Sequence, residues 1–222
     1  MADVTEQFQV VDRWEGGLGW LAHPDEFLVR ASHALAVDGE VWVVDPVDCP
    51  GLDDLLAELG EVVGVVLGLD RHERDCARVA NRHAVPVYLP RPLAGVAGDV
   101  AAPTSIVDGE LADTGYRTVT IVDSPVWKEV ALYHGGNGTL LVPEAVGTAS
   151  HYVVADERLG VHPLLRLRPP RRVLSGLDPE RVLVGHGTGV HDDASGALED
   201  ALRTARRNAP RLYWKALSNL LP

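Results

Sequence analysis

The chain has 222 residues, 46% of them apolar, with 32 acidic and 20 basic side chains and a net charge of −12. The apolar content excludes a disordered chain, and the acidic balance argues against a nucleic-acid footprint, since Arg166 to Arg172 is the one basic run that stands out. No apolar run reaches the roughly 18 residues that a bilayer crossing needs, so no membrane partner is expected.

Phe8 to Val11 reads as a first strand, followed by the irregular stretch RWEGGLGW. ASHALAV, then Asp38-Gly39, then EVWVVDP reads as a hairpin, because Asp-Gly supplies the two positive-φ positions of a tight turn. Leu52, Leu55, Leu56 and Leu59 share one helical face, with Gly60 at its C-terminal end. Val62 to Leu69 reads as a buried strand that empties into the charged cluster Asp70 to Asp75. Cys76, Val79, Ala80 and His83 then recur at helical spacing, and Val85 to Leu89 gives another short strand. A strand that delivers charged side chains into a loop opening a helix is where α/β architectures place their chemistry.

Arg91 to Ala102 reads as a loop, and Ile106 to Leu111 holds a second Asp-Gly turn. Strands are expected at Arg117 to Val122, Val130 to Tyr133, Thr139 to Val142, Tyr152 to Ala155 and Arg181 to Val184. Pro163 to Arg172 reads as a connector. A helix begins near Asp193, and Pro210 is expected to open a separate last helix. Cys49 and Cys76 are read as a reduced, cytoplasmic pair, since no leader segment is read ahead of them.

The segment VVGVVLGLDRHERDCARVANRHAVPVYLP, Val62 to Pro90, resembles the metallo-β-lactamase superfamily, in which a His-x-His-x-Asp-His loop follows such a strand. The resemblance runs from about Phe8 to Ala205 and includes the Asp after the hairpin, here Asp45, and the phrase RVLVGHG. It implies an α+β fold, a metallo-β-lactamase-like αββα four-layer sandwich of two mixed β-sheets flanked by helices, with residues 1–222 as a single domain. Setting Asp75 on the family's Asp puts Arg71, Glu73 and Cys76 at its three histidines. A rival register puts His72 on the second histidine and Arg74 at the Asp position; the first is preferred. Trp127 stands at the middle histidine, Glu144 is the carboxylate in reach of the bridging Asp, and His186 retains the last histidine.

The family's dinuclear zinc centre needs mostly imidazole ligands, and a permanently charged guanidinium repels a divalent cation. The resemblance therefore implies a non-catalytic protein that binds a small anionic ligand or a protein partner in the former active-site cleft. The alternative is an atypical hydrolase of a small ester or thioester, with Asp75 and His186 as catalytic candidates. It would use a single zinc held by Asp75, Cys76 and His186, or no metal. Cys76 also fits a buried position on the apolar face, and His72 is read as a solvated loop residue. Arg71 is expected to replace the lost cation by pairing with Glu73 or Asp75.

Overall fold

The computed structural model describes residues 8–218. One sheet has seven strands in sequential order: β1 (Gln9–Trp14), β2 (Gly17–Leu21), β3 (Ala31–Val37), β4 (Glu40–Val44), β5 (Glu61–Val66), β6 (Val87–Pro90) and β7 (Thr104–Val107). β1 to β4 form an antiparallel meander, and β4 to β7 are parallel. The β4 to β5 crossover carries helix α1 (Leu52–Ala57), and the β5 to β6 crossover carries α2 (Cys76–His83).

The second sheet is built from β8 (Arg117–Ser124), β9 (Trp127–His134) and β10 (Thr139–Val142). After the small pair β11 (Val146–Gly147) and β12 (Gly160–Val161), β13 (Arg181–Val184) completes it, parallel to β10. A short helix α3 (Arg171–Leu174) and a long helix α4 (Ala194–Ser218) accompany this sheet.

The layering follows from the two-residue period of the strands. Val41 and Val43 of β4 face Leu52, Leu55, Val79 and Ala80 of α1 and α2, whereas Trp42 and Val44 point the other way. In the second sheet Leu140, Val142, Val182 and Val184 face Ala197, Leu198, Ala201 and Leu202 of α4. Their alternates Leu141 and Leu183, with Leu132, meet Trp42, Val44 and Val66 in a core between the sheets. Helices, sheet, sheet, helices is therefore the order of layers, as the resemblance implies. Gly64 belongs to this packing, because a Cβ there would lie 2.7 Å from the Tyr88 ring and 2.8 Å from the Trp42 ring.

Four expectations are corrected. The stretch read as irregular after the first strand holds β2, paired with both β1 and β3. Tyr152 to Ala155 is turn and loop without sheet pairing, with Tyr152 and Val154 buried and Ala155 exposed. The connector after Pro163 contains a 3₁₀ turn, Pro163–Leu165, and α3. Pro210 lies inside α4, because Ala209 and Leu212 on either side are both buried, and that packing outweighs one missing hydrogen bond.

The basic run is not a surface feature at its first residue. Arg166 is fully buried, donating through Nε to Val161 O, through Nη2 to Tyr152 O, and through Nη1 and Nη2 to both Glu157 oxygens at 2.9 and 2.7 Å. It fastens the 152–161 loop that walls the cleft described below. Burial alone would raise the Glu157 pKa, but the hydrogen bonds from Arg166 and Asn208 hold it below the ordinary 4.5.

Replacing Arg166 with Met should cost about 3 kcal/mol at pH 7, the scale for leaving one partner of a buried pair alone. Because the folded Glu157 pKa is depressed, the pair's contribution is present above 4.5 and is lost as pH falls through the folded value. Urea unfolding at pH 7 and pH 3.5 should show the gap between wild type and variant shrink with acid. An unchanged gap would mean that packing, not charge, is lost.

Candidate functional site

Loops from both sheets converge at one end of the sandwich. The residues after β4 begin at Asp45, those after β5 run from Leu67 to Asp75, and those after β13 are Gly185, His186 and Gly187. Both glycines are required: a Cβ on Gly185 would strike the Pro143 carbonyl oxygen, and Gly187 has φ +100° with no room beside Thr148. His186 is thereby set on a bend beside the 22–30 loop, bridged to Arg30. Asp45 and Arg74 adopt φ of 45° and 39°, so left-handed backbone strain gathers at this end.

Arg74 occupies the middle. Its Nη1 donates to Ala31 O at 2.7 Å and Asp45 O at 2.8 Å, and its Nη2 donates to Gly185 O at 3.2 Å. Nη2 also lies 3.4 Å from His72 Nε2. His72 is 6% exposed and its Nδ1 meets Asp45 Oδ2 at 3.0 Å, while Asp45 Oδ1 accepts Gly68 N–H. Burial lowers the His72 pKa, so the neutral ring donates from Nδ1 and turns its Nε2 lone pair to the guanidinium. The rings of His72 and His186 have centroids 5.5 Å apart.

His186 is 5% exposed, and Leu28 O accepts its Nδ1–H at 2.9 Å. Burial pushes its pKa down to about 4, leaving a neutral imidazole at pH 7. Its Nε2 is buried without a partner. Tyr152 stacks on it at 5.7 Å, and His151 approaches edge-on at 5.9 Å.

The facing wall comes from the second sheet. Glu129, fully buried, accepts the N–H groups of Glu144 and Ala145 at 2.8 and 2.7 Å and the Trp127 indole N–H at 3.0 Å. Burial raises its pKa to about 7 in spite of these donors. Arg71 stacks over Trp127 at 4.6 Å and donates to Glu144 at 2.7 Å. His162 packs edge-on against Trp127, and its Nε2 lies 3.6 Å from Glu144.

These contacts relocate several expected residues. Arg71 reaches Glu144 and Asp70, not Glu73 or Asp75, because its loop turns it across the cleft toward β9. Glu73 is exposed. Asp75 sits at the start of α2 and accepts Asp48 N–H at 2.9 Å, facing the α1 loop. Cys76 is 1% exposed in the core under α2, its thiol donating to His72 O and pushed well above its ordinary pKa by burial.

Asp75, Cys76 and His186 are thus not gathered as ligands. Among the described residues no group of three or more His, Cys, Asp or Glu side chains is arranged to hold a metal. His72 lies beside His186 and Arg74 reaches into the same cleft, whereas Asp75 is turned to Asp48 N–H. His72 is a cleft residue rather than a solvated one. His151, His162, Tyr152 and Glu129 had no periodic or motif signal, since they reach the cleft only through loop and strand packing.

Replacing Arg74 with Ala would take its donor from Ala31 O, while Asp45 O keeps Ser32 Oγ–H and Gly185 O keeps Ala31 N–H, and should cost about 2 kcal/mol, within the roughly 1–3 kcal/mol of an unsatisfied buried acceptor. Arg71→Ala should cost within about 1 kcal/mol, because its side chain is 42% exposed and its ion pair is screened. Denaturant midpoints of the two variants at neutral pH check the order. Equal losses would remove Arg74 from its central place.

No family model matches the sequence, and no curated protein matches it. Solved structures do. The chain is similar to the DIM-1 metallo-β-lactamase with a TM-score of 0.63 and 13% identity, over 90% of this chain and 98% of that one. A metallo-β-lactamase from Pontibacter korlensis gives 0.58 and 14%, over 89% and 99%. The flavodiiron protein from Giardia intestinalis gives 0.61 and 16%, over 89% of this chain and 59% of that one. With likenesses that extend over about nine-tenths of its length, this chain has the metallo-β-lactamase fold.

Proposed function

We propose that the chain is a non-catalytic binding protein that uses the cleft where metallo-β-lactamases carry metal. The observation that carries this reading is the Arg74 guanidinium, seated among Ala31 O, Asp45 O, Gly185 O and His72 Nε2. The residues present do not fit a zinc centre. Zinc needs convergent lone pairs from neutral imidazole, thiolate or carboxylate. Here the His72 lone pair is turned to a permanent cation, the Asp45 carboxylate is taken by Gly68 N–H and His72, and the Cys76 thiol is in the core.

Arg71 is paired with Glu144, so a small anionic ligand would have to displace that carboxylate, and a neutral ligand fits better. The hydrolase reading rests on the bare Nε2 of His186, a neutral base. Among the described residues, no Ser, Thr or Cys side chain is hydrogen-bonded to an imidazole that could activate it as a nucleophile.

Protein purified without a metal-affinity tag from zinc-supplemented medium should contain well under one zinc per chain by mass spectrometry of metals. It should also hydrolyse p-nitrophenyl acetate and a simple thioester no faster than an equal amount of an unrelated protein. Near-stoichiometric zinc, or turnover abolished by His186→Gln, would overturn the reading.

A further inference from the structure

Much of the positive charge of this acidic chain is gathered on one face. Residues 160–177 and 202–218 carry nine of its 20 Lys and Arg residues and none of its 32 Asp and Glu residues. The two stretches lie side by side. The Tyr213 hydroxyl donates to Pro163 O at 2.9 Å, Arg206 Nε to Leu167 O at 2.8 Å and Arg171 Nε to Leu202 O at 3.0 Å, so residues 163–171 run antiparallel along the C-terminal half of α4. On α4 itself Arg203, Arg207, Arg211 and Trp214 recur at i, i+4, i+8 and i+11, which sets them on one exposed stripe.

These cations differ from the others. Among the described residues, nine of the eleven Lys and Arg side chains outside the two stretches have a carboxylate within 4.0 Å, whereas inside them only Arg166 and Arg203 do. Arg171, Arg206 and Lys215 donate to backbone carbonyls instead. Arg168, Arg172, Arg207 and Arg211 have neither partner among the described residues. Five of the nine large apolar side chains exposed on the described surface lie on the same face, Leu164 at 78% and Trp214 at 71% foremost. Single exposed apolar residues are ordinary, but a cluster rimmed by charge marks a docking surface.

We propose that this face docks a short acidic segment of another protein, its carboxylates paired with Arg168, Arg207 and Arg211 and its apolar side chains packed on Leu167 and Trp214. A guanidinium holds a carboxylate through two parallel N–H groups, and Arg and Trp are the residues that protein interfaces favour. Charge complementarity sets the partner. Outside the two stretches the chain has 32 acidic side chains against eleven basic ones. An extended polyanion, a bilayer or a duplex, also meets that acidic surround, and a repulsion acting over about 8 Å at physiological salt opposes it. A short segment meets this face alone. A two-fold dimer through the face would set Arg against Arg. The inference goes beyond the cleft reading and does not depend on it.

The test is fluorescence anisotropy of a labelled peptide of about 16 residues, Glu interspersed with Leu, titrated with the full chain. The peptide should bind, and raising NaCl from about 50 to about 200 mM should weaken it severalfold. Arg207→Glu combined with Arg211→Glu should weaken it about tenfold or more, and Trp214→Ala about tenfold. Arg117→Glu, on β8 and outside the face, should leave binding within about twofold. All four side chains are exposed, so these changes leave the core intact. The same peptide with every Leu replaced by Ser should bind at least about fivefold more weakly, because the apolar contacts are lost.

Three results overturn the inference: no binding of the Leu-containing peptide, equal binding of the Leu and Ser versions, or a loss with Arg117→Glu as large as with the double reversal. Tighter binding of phosphatidylserine vesicles or of a duplex oligonucleotide than of the peptide would give the face to a polyanion and overturn it too. So would self-association of the chain that the double reversal abolishes, which would give the face to a second copy.

Discussion

A single guanidinium holds the cleft end of this sandwich together. Arg74 joins the start of β3, the end of β4 and the turn after β13 through three carbonyl oxygens, so it ties the first sheet to the second. A buried carbonyl at a strand end needs a donor, and here Arg74 supplements Ser32 Oγ–H on Asp45 O and Ala31 N–H on Gly185 O. A divalent ion and a guanidinium meet this need in different ways: the ion collects lone pairs from several side chains, the guanidinium supplies N–H groups from one. The second solution needs no ligand set, and this explains how a cleft lined by Trp127, Arg71 and Arg74 keeps its shape.

In the rest of the cleft, Arg71 is paired with Glu144, and Asp45 lies with His72 beside Arg74. Glu129 is held by three N–H donors beneath Glu144, which fixes the wall that presents Arg71. His186 and His162, kept neutral by burial with pKa values near 4, add polar atoms without charge. Such a cavity is rich in imidazole, and Arg74 Nε, Asp70 Oδ1, His151 Nδ1 and His186 Nε2 are buried around it without hydrogen-bond partners.

Much of the sandwich was legible in the chain because strands and helices imprint their periods locally. The alternation in ASHALAV and EVWVV, the apolar runs before Leu69 and Val184, and the helical spacing after Cys76 all correspond to elements found. The failures have equally local causes. Gly17 to Leu21 is a central strand buried on both faces, so it shows no alternation, and its glycines read as loop. In Tyr152 to Ala155 the buried Tyr152 packs against His186 and accepts from Arg166 through its carbonyl, and the stretch does not pair as a strand. Pro210 carries an N-terminal signal that burial of its neighbours overrides.

The sequence by itself determined which residues share a strand face, because a two-residue period is local and no distant contact changes it, whereas the layer order was implied by the resemblance. It also determined that charged residues would crowd the loop after β5, and that His186 would be held between glycines. Which of those charged residues enters the cleft was decided only by tertiary structure. A shift of one residue in the loop separates the reading with Asp75 inward from the observed arrangement with Arg74 inward. What selects between them is the positive φ at Arg74, the carbonyls of Ala31 and Gly185 that it meets, and the fit of Cys76 under α2. Ala31 and Gly185 lie 43 and 111 residues from Arg74 along the chain, and only the folded sandwich brings them together.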